Sequence, residues 1–164
     1  MDNTAFRTAP FAAFALLLAA CGGGSGDPEP TPATATLVVS AATNPTFNGT
    51  FTSNAVALSE VEKRNPVGGE PEVCSFRFSG LQRAGGGTMD GDVRYLPGTN
   101  TVHVMFVSIN GVEFNTRERA NATVDRANHR VDFTGKVLAA SAGVASTITV
   151  SGAVPLRMNR PEGC

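Results

Sequence analysis

Apolar side chains recur at every second position along most of this chain, and that spacing excludes helices as its main element. Cys74, Phe76 and Phe78 alternate with Ser75, Arg77 and Ser79. Met89, Gly91, Val93 and Tyr95 alternate with Asp90, Asp92 and Arg94. Val131, Phe133, Gly135 and Val137 alternate with Arg130, Asp132, Thr134 and Lys136, and Ile148, Val150, Gly152, Val154 and Leu156 with Thr147, Thr149, Ser151 and Ala153. Successive strand residues point to opposite faces, so this period places one face on a core and the other in water, as antiparallel sheets do. Val102–Val107 reads Val-His-Val-Met-Phe-Val and is apolar on both faces. It predicts a central strand with His103 on the side of Met105 and Val107.

Turn chemistry punctuates these runs. Asn110-Gly111 separates Thr101–Ile109 from Val112–Arg119, and Asn-Gly accepts the positive φ of a tight hairpin turn at both central positions. Pro97-Gly98-Thr99-Asn100 turns the chain after Tyr95, and Ala127-Asn128 with His129 turns it before Val131. Gly85-Gly86-Gly87 reads as a loop, and Glu60–Glu72 as a polar loop around Asn65-Pro66. Earlier strands are expected at Thr36–Ala41, Phe47–Ser53 and Ala55–Ser59. Ala139–Ala145 has the composition of a connection. The expectation is an all-β domain over residues 35–164, an antiparallel meander-type sandwich or small barrel of about eight to ten short strands. A length of 164 residues leaves room for one such domain.

The chain opens differently. Arg7 precedes an apolar run, Phe11–Ala20, which ends in Leu18-Ala19-Ala20-Cys21. As a helix the run would be ~15 Å long, half of a ~30 Å hydrocarbon core, so it is too short to span and has the length of a signal-peptide core. Its last four residues resemble the lipobox of bacterial lipoprotein precursors, Leu-small-small-Cys. The resemblance implies that residues 1–20 are a signal peptide and that Cys21 is diacylated and becomes the first mature residue. Several acyl chains would then hold the protein on a bilayer, the implied lipid partner. Gly22 stands where Asp commonly signals inner-membrane retention, so the resemblance implies a lipid-anchored envelope protein at the outer membrane, facing the periplasm. Residues 22–34, GGGSGDPEPTPAT, have the composition of a flexible tether reaching at most ~45 Å.

Of the three cysteines, lipid would consume Cys21. Cys74 and Cys164 remain as an even pair in an oxidising compartment, which predicts a Cys74–Cys164 disulfide tying down the chain's last segment.

Candidate chemistry is sparse. A formal net charge of −1 argues against a basic nucleic-acid binder. His103 could serve as a general base, but the plainer reading is a packed, hydrogen-bonded side chain; His129 reads as a solvated turn residue. Asp90 and Asp92 share one strand face without the spacing of a calcium loop. Glu60, Glu62, Glu70 and Glu72 flank Lys63-Arg64, a solvated loop on which a partner could dock. Arg117, Arg119, Arg126 and Arg130 could gather on adjacent strands as an anion site. Asn48-Gly49-Thr50 and Asn121-Ala122-Thr123 match glycosylation acceptors that a bacterial lipoprotein would not normally use. No catalytic residue, metal ligand or cofactor is assigned, and any ligand-binding residues are left open. The leading expectation is a non-enzymatic domain that binds another envelope protein or supports the envelope. A second is a carrier of small apolar ligands, similar to lipocalin-type lipoproteins in size and location, although Trp is absent and with it that family's Gly-x-Trp motif. A third is a hydrolase working at His103.

Overall fold

A computed structural model describes residues 33–143 and 145–164. The expected signal peptide over residues 1–20, the expected lipidated Cys21 and the expected tether up to residue 32 lie outside the described residues. The chain forms β1 (Ala35–Ser40), β2 (Gly49–Ser53), β3 (Ala57–Leu58), β4 (Glu62–Arg64), β5 (Val73–Arg83) and β6 (Thr88–Tyr95). It continues through β7 (Val102–Ile109), β8 (Val112–Thr116), β9 (Ala122–Asp125), β10 (Arg130–Ala140) and β11 (Thr147–Pro155). A 3-10 turn over Pro45–Phe47, capped by Asn44, replaces the expected start of the second strand. Proline at the start of that turn has no amide hydrogen to give a ladder.

The sheet closes on itself. Neighbours run β1-β2-β5-β6-β7-β8-β10-β11, all antiparallel, and β11 pairs back onto β1 with Val39 opposite Val150. Of the two architectures expected, the barrel is the one formed, an eight-strand meander with three extra short strands. Closure pairs each of the eight wall strands on both sides and so removes their open edges, which would otherwise template association. Two wall positions are shared. β5 pairs in succession with β2 at Phe51–Thr52, with β3 at Ala57–Leu58 and with β4 at Glu62–Arg64. β10 pairs with β9 over Arg130–Phe133 and with β8 only at Ala139–Ala140.

Leu37, Phe51, Phe76, Phe78, Leu81, Met89, Met105, Ile109, Phe114 and Leu138 point inward, each under 2% exposed. Burying each contributes up to ~1.5–3 kcal/mol, and together they fill the width an eight-strand barrel encloses. Gly91 makes room for this packing, since a Cβ there would lie 2.4 Å from the Phe78 ring. Gly152 serves the closing seam. Its φ is 121°, and a Cβ would sit 2.2 Å from the Thr36 carbonyl oxygen of β1.

Three irregularities correct the strict alternation. In β10 the register shifts between Phe133 and Lys136, so Thr134-Gly135 is a bulge. Beyond it the phase reverses: Lys136 is buried at 1% exposure, and Val137, expected inside, is 46% exposed. A similar shift falls at Ser79-Gly80 in β5. The third lies in the β6–β7 ladder, where Arg94 faces Val104 and Tyr95 faces Val102, leaving His103 as the extra residue. His103 is thus out of step with Met105 and Val107, contrary to the alternation. A bulge puts two residues against one and re-aims the side chain at that point.

Candidate functional site

One end of the barrel is closed by the chain's last segment. Cys74, at the start of β5, is bonded to Cys164, with Cα atoms 5.6 Å apart and a sequence separation of 90. Both cysteines are buried. The Tyr95 hydroxyl, on the last residue of β6, donates to the Cys164 main-chain oxygen at 2.9 Å. Arg126, just past β9, donates through Nε to the same oxygen at 3.1 Å and through Nη1 to Asn100 Oδ1 at 2.9 Å. Its guanidinium also lies 5.6 Å from the Tyr95 ring centroid, a cation–π contact. Gly98 N–H donates to Gly163 O at 2.8 Å. Burial pushes the Tyr95 phenol up to about 12, against the pull of the Arg160 and Arg126 charges.

That shift has a direct readout, because Tyr95 is the chain's only tyrosine and Trp is absent. Near-ultraviolet absorbance should show tyrosinate forming with a midpoint of about 12 in the folded protein. In denaturant the midpoint should fall to ~10. The neutral phenol contributes stability present in full below pH ~10 and lost as pH rises through the folded value. A folded-state midpoint equal to the denatured one would contradict the burial.

A second cluster lies on the outer wall. His103 Nε2 is 2.9 Å from Glu70 Oε2, which accepts from it, and the Arg117 guanidinium pairs with the other oxygen of the same carboxylate. The hydrogen bonds from His103 and then Arg117 hold the Glu70 carboxyl below its ordinary range. The contact fastens the loop between β4 and β5 over β7. The His103 Nδ1 is buried without a hydrogen-bond partner. A catalytic dyad needs that nitrogen to meet a nucleophile while the acid orients the ring, and among the described residues no hydroxyl or thiol is hydrogen-bonded to it.

The other residues singled out from the sequence scatter. Asp92 accepts from Arg94 at 3.2 Å, and Asp90 from the Gly80 N–H at 3.1 Å. Lys63 pairs with Glu72 and Arg64 with Glu62. Of the four arginines expected to gather, Arg117, Arg126 and Arg130 serve three separate places, with Arg130 on Asp132 at 3.1 Å, and Arg119 is exposed. His129 is not a free turn tip: it is half-buried, adopts φ 50° and accepts at Nδ1 from Arg160 at 3.1 Å.

The residue that alternation placed wrongly is the most unusual. Lys136 enters the barrel wall where β8 and β9 part, and its ammonium donates to the carbonyl oxygens of Glu118 and of Ala120, the latter at 2.8 Å. Burial holds it below the ordinary lysine range, opposed by the Glu118 charge. Its partners belong to the loop between β8 and β9, which it ties across the gap.

An open groove of about 910 Å³ lies on the outside of β1, β10 and β11. The chain matches no protein-family model, no curated protein and no solved structure. Its own geometry is therefore what bears on function.

Proposed function

We propose that this chain is a bilayer-tethered envelope lipoprotein whose β-barrel is a non-enzymatic binding or structural domain, acting through its outer surface on another envelope protein. The observation that carries the reading is the filled barrel interior, where the large apolar side chains are under 2% exposed. With the inside occupied and one end bound by the disulfide, the outer wall and loops are left for recognition. The Leu18-Ala19-Ala20-Cys21 leader supports the anchor. The lipocalin-like carrier gains the closed eight-strand wall, but the large apolar side chains that would line its pocket are packed inside that wall. For the hydrolase reading, His103 has an orienting carboxylate but, among the described residues, no hydrogen-bonded nucleophile on its second nitrogen.

Crosslinking the lipidated protein in cells, followed by mass spectrometry, tests this. Specific recovery of one envelope protein is the expected result; a co-purifying apolar small molecule would favour the carrier. His103→Ala should leave the physiological role intact in a folded protein, and an enzymatic turnover abolished by that substitution with the fold unchanged would establish the hydrolase instead. The anchor has its own test. Cys21→Ala should remain unprocessed at this site or escape to the soluble fraction, and a processed, membrane-bound Cys21→Ala chain would defeat it.

A further inference from the structure

The groove on the outer wall has a construction of its own. β11 runs between β1 and β10, with Ala153 opposite Thr36 on one side and Asp132 on the other. In the groove β11 offers only short outward side chains, Ala153 and Pro155, while Thr34 and Thr36 stand on one rim and Asp132 and Thr134 on the other. Residues two apart on a strand share a face and lie ~6.7 Å apart, so each rim repeats a hydrogen-bonding group along the groove. Ala33 and Leu58 add partly exposed apolar surface beside Ala153 and Pro155, and Asn128, His129 and Arg130 also line the groove.

The polar groups on these rims are available. Thr34, Thr36 and Thr134 are exposed, and none of their hydroxyls has a partner among the described residues. Asp132 accepts from Arg130 through Oδ2 at 3.1 Å, which neutralises that pair and leaves Oδ1 open. The two charged side chains that line the groove, Arg130 and Asp132, thus offset each other. The groove presents hydroxyls that both donate and accept, one carboxylate oxygen that accepts, and an apolar floor. That combination suits a neutral ligand that is hydroxylated along its edges and carries C–H on its faces. Among the described residues the groove is also open, as fits a chain passing through it.

We propose that this groove binds a neutral oligosaccharide, with Thr34 and Thr36 on one side, Asp132 and Thr134 on the other, and the sugar faces on Ala153 and Pro155. The assignment goes beyond docking on an envelope protein and rests on the groove alone, so it holds whether or not Cys21 carries lipid.

The test uses the purified full-length protein and four probes: cellotetraose, maltotetraose and chitotetraose as neutral chains, and tetragalacturonate as the anionic one. Calorimetry and amide chemical shifts read binding. At least one neutral chain should bind with Kd at or below ~1 mM, shifting amides of β1, β10 and β11. Thr36→Val with Thr134→Val keeps side-chain shape and suits exposed strand positions, so the fold should survive while affinity falls about tenfold, one neutral hydrogen bond or more. Cys21→Ala should bind as well as the parent. No binding by any neutral chain, tighter binding of tetragalacturonate, shifts centred elsewhere, or full affinity in the double valine variant would each overturn the proposal. None of these results depends on what crosslinking recovers, so the two readings fail separately.

Discussion

Cys164→Ser is expected to lower stability by about 4–5 kcal/mol, because the bond it removes closes a long loop in the unfolded chain. The sequence separation is 90 residues, and loop-closure entropy grows with the logarithm of that span. Native-state contacts add to the effect. Without the bond, the last segment is held by the Tyr95 hydroxyl, the Arg126 guanidinium and the Gly98 amide. Thermal midpoint should drop on the order of 10–20 °C. Intact mass of the oxidised protein should rise by about two units on reduction, for one bond cleaved. The tyrosinate midpoint supplies a local check: release of Cys164 uncovers Tyr95 and should move its titration from about 12 toward the ordinary phenol range. A Cys164→Ser protein that melts with the parent and titrates like it would show that the tail contributes nothing to closing the barrel.

How much of this was legible in the sequence depended on whether the strand was regular. β6 and β11 keep one phase from end to end, so Met89, Val93, Tyr95, Ile148, Val150 and Val154 were placed on the correct face by alternation alone. β10 breaks phase at Thr134-Gly135, and a pattern that assumes an unbroken ladder then inverts every residue after the break. The signal was present in Gly135, since a glycine inside a strand pattern marks a bulge. Gly80 carried the same signal in β5. His103 had no such marker, because its bulge is set by pairing across to β6. β4 was hidden for another reason. Glu62-Lys63-Arg64 has no apolar face, and it is a strand only because β5 extends past β2 and offers an edge to pair with. Charge suits β4, whose only strand partner among the described residues is β5, because it discourages further pairing.

Sites assembled from distant segments were the least legible. The disulfide followed from counting cysteines, but its place against Tyr95 and Arg126 required the barrel to bring β5, β6 and the tail to one end. The outer groove draws on residues near 34, 132 and 153, joined only by the pairing of β1 and β10 with β11. No local pattern marks it, because threonines alternating along a strand read simply as its solvent face.

Lys136 gives the other large expected effect, since a charged side chain sits where the barrel wall would accept an apolar one. Lys136→Glu should prevent folding or cost about 3–5 kcal/mol, because a buried carboxylate would face the carbonyl oxygens of Glu118 and Ala120 with no donor to meet it. Lys136→Ala should cost roughly 2–4 kcal/mol through the volume left behind. Lys136→Met separates charge from packing. It keeps most of the volume, and the two carbonyls it leaves belong to exposed residues that water can reach, so stability should change by less than ~1.5 kcal/mol. It should also change the pH profile. Burial depresses the lysine in the folded state, so between that value and the unfolded ~10.5 the unfolded chain binds more protons, and stability rises with pH across the window. Methionine removes this rise and leaves only the loss at higher pH as Tyr95 ionises. Denaturant melts of the parent and Lys136→Met at several alkaline pH values measure the difference directly. Parallel pH profiles would mean that the lysine carries the same charge folded and unfolded, and that its two carbonyls fully replace the water it gave up.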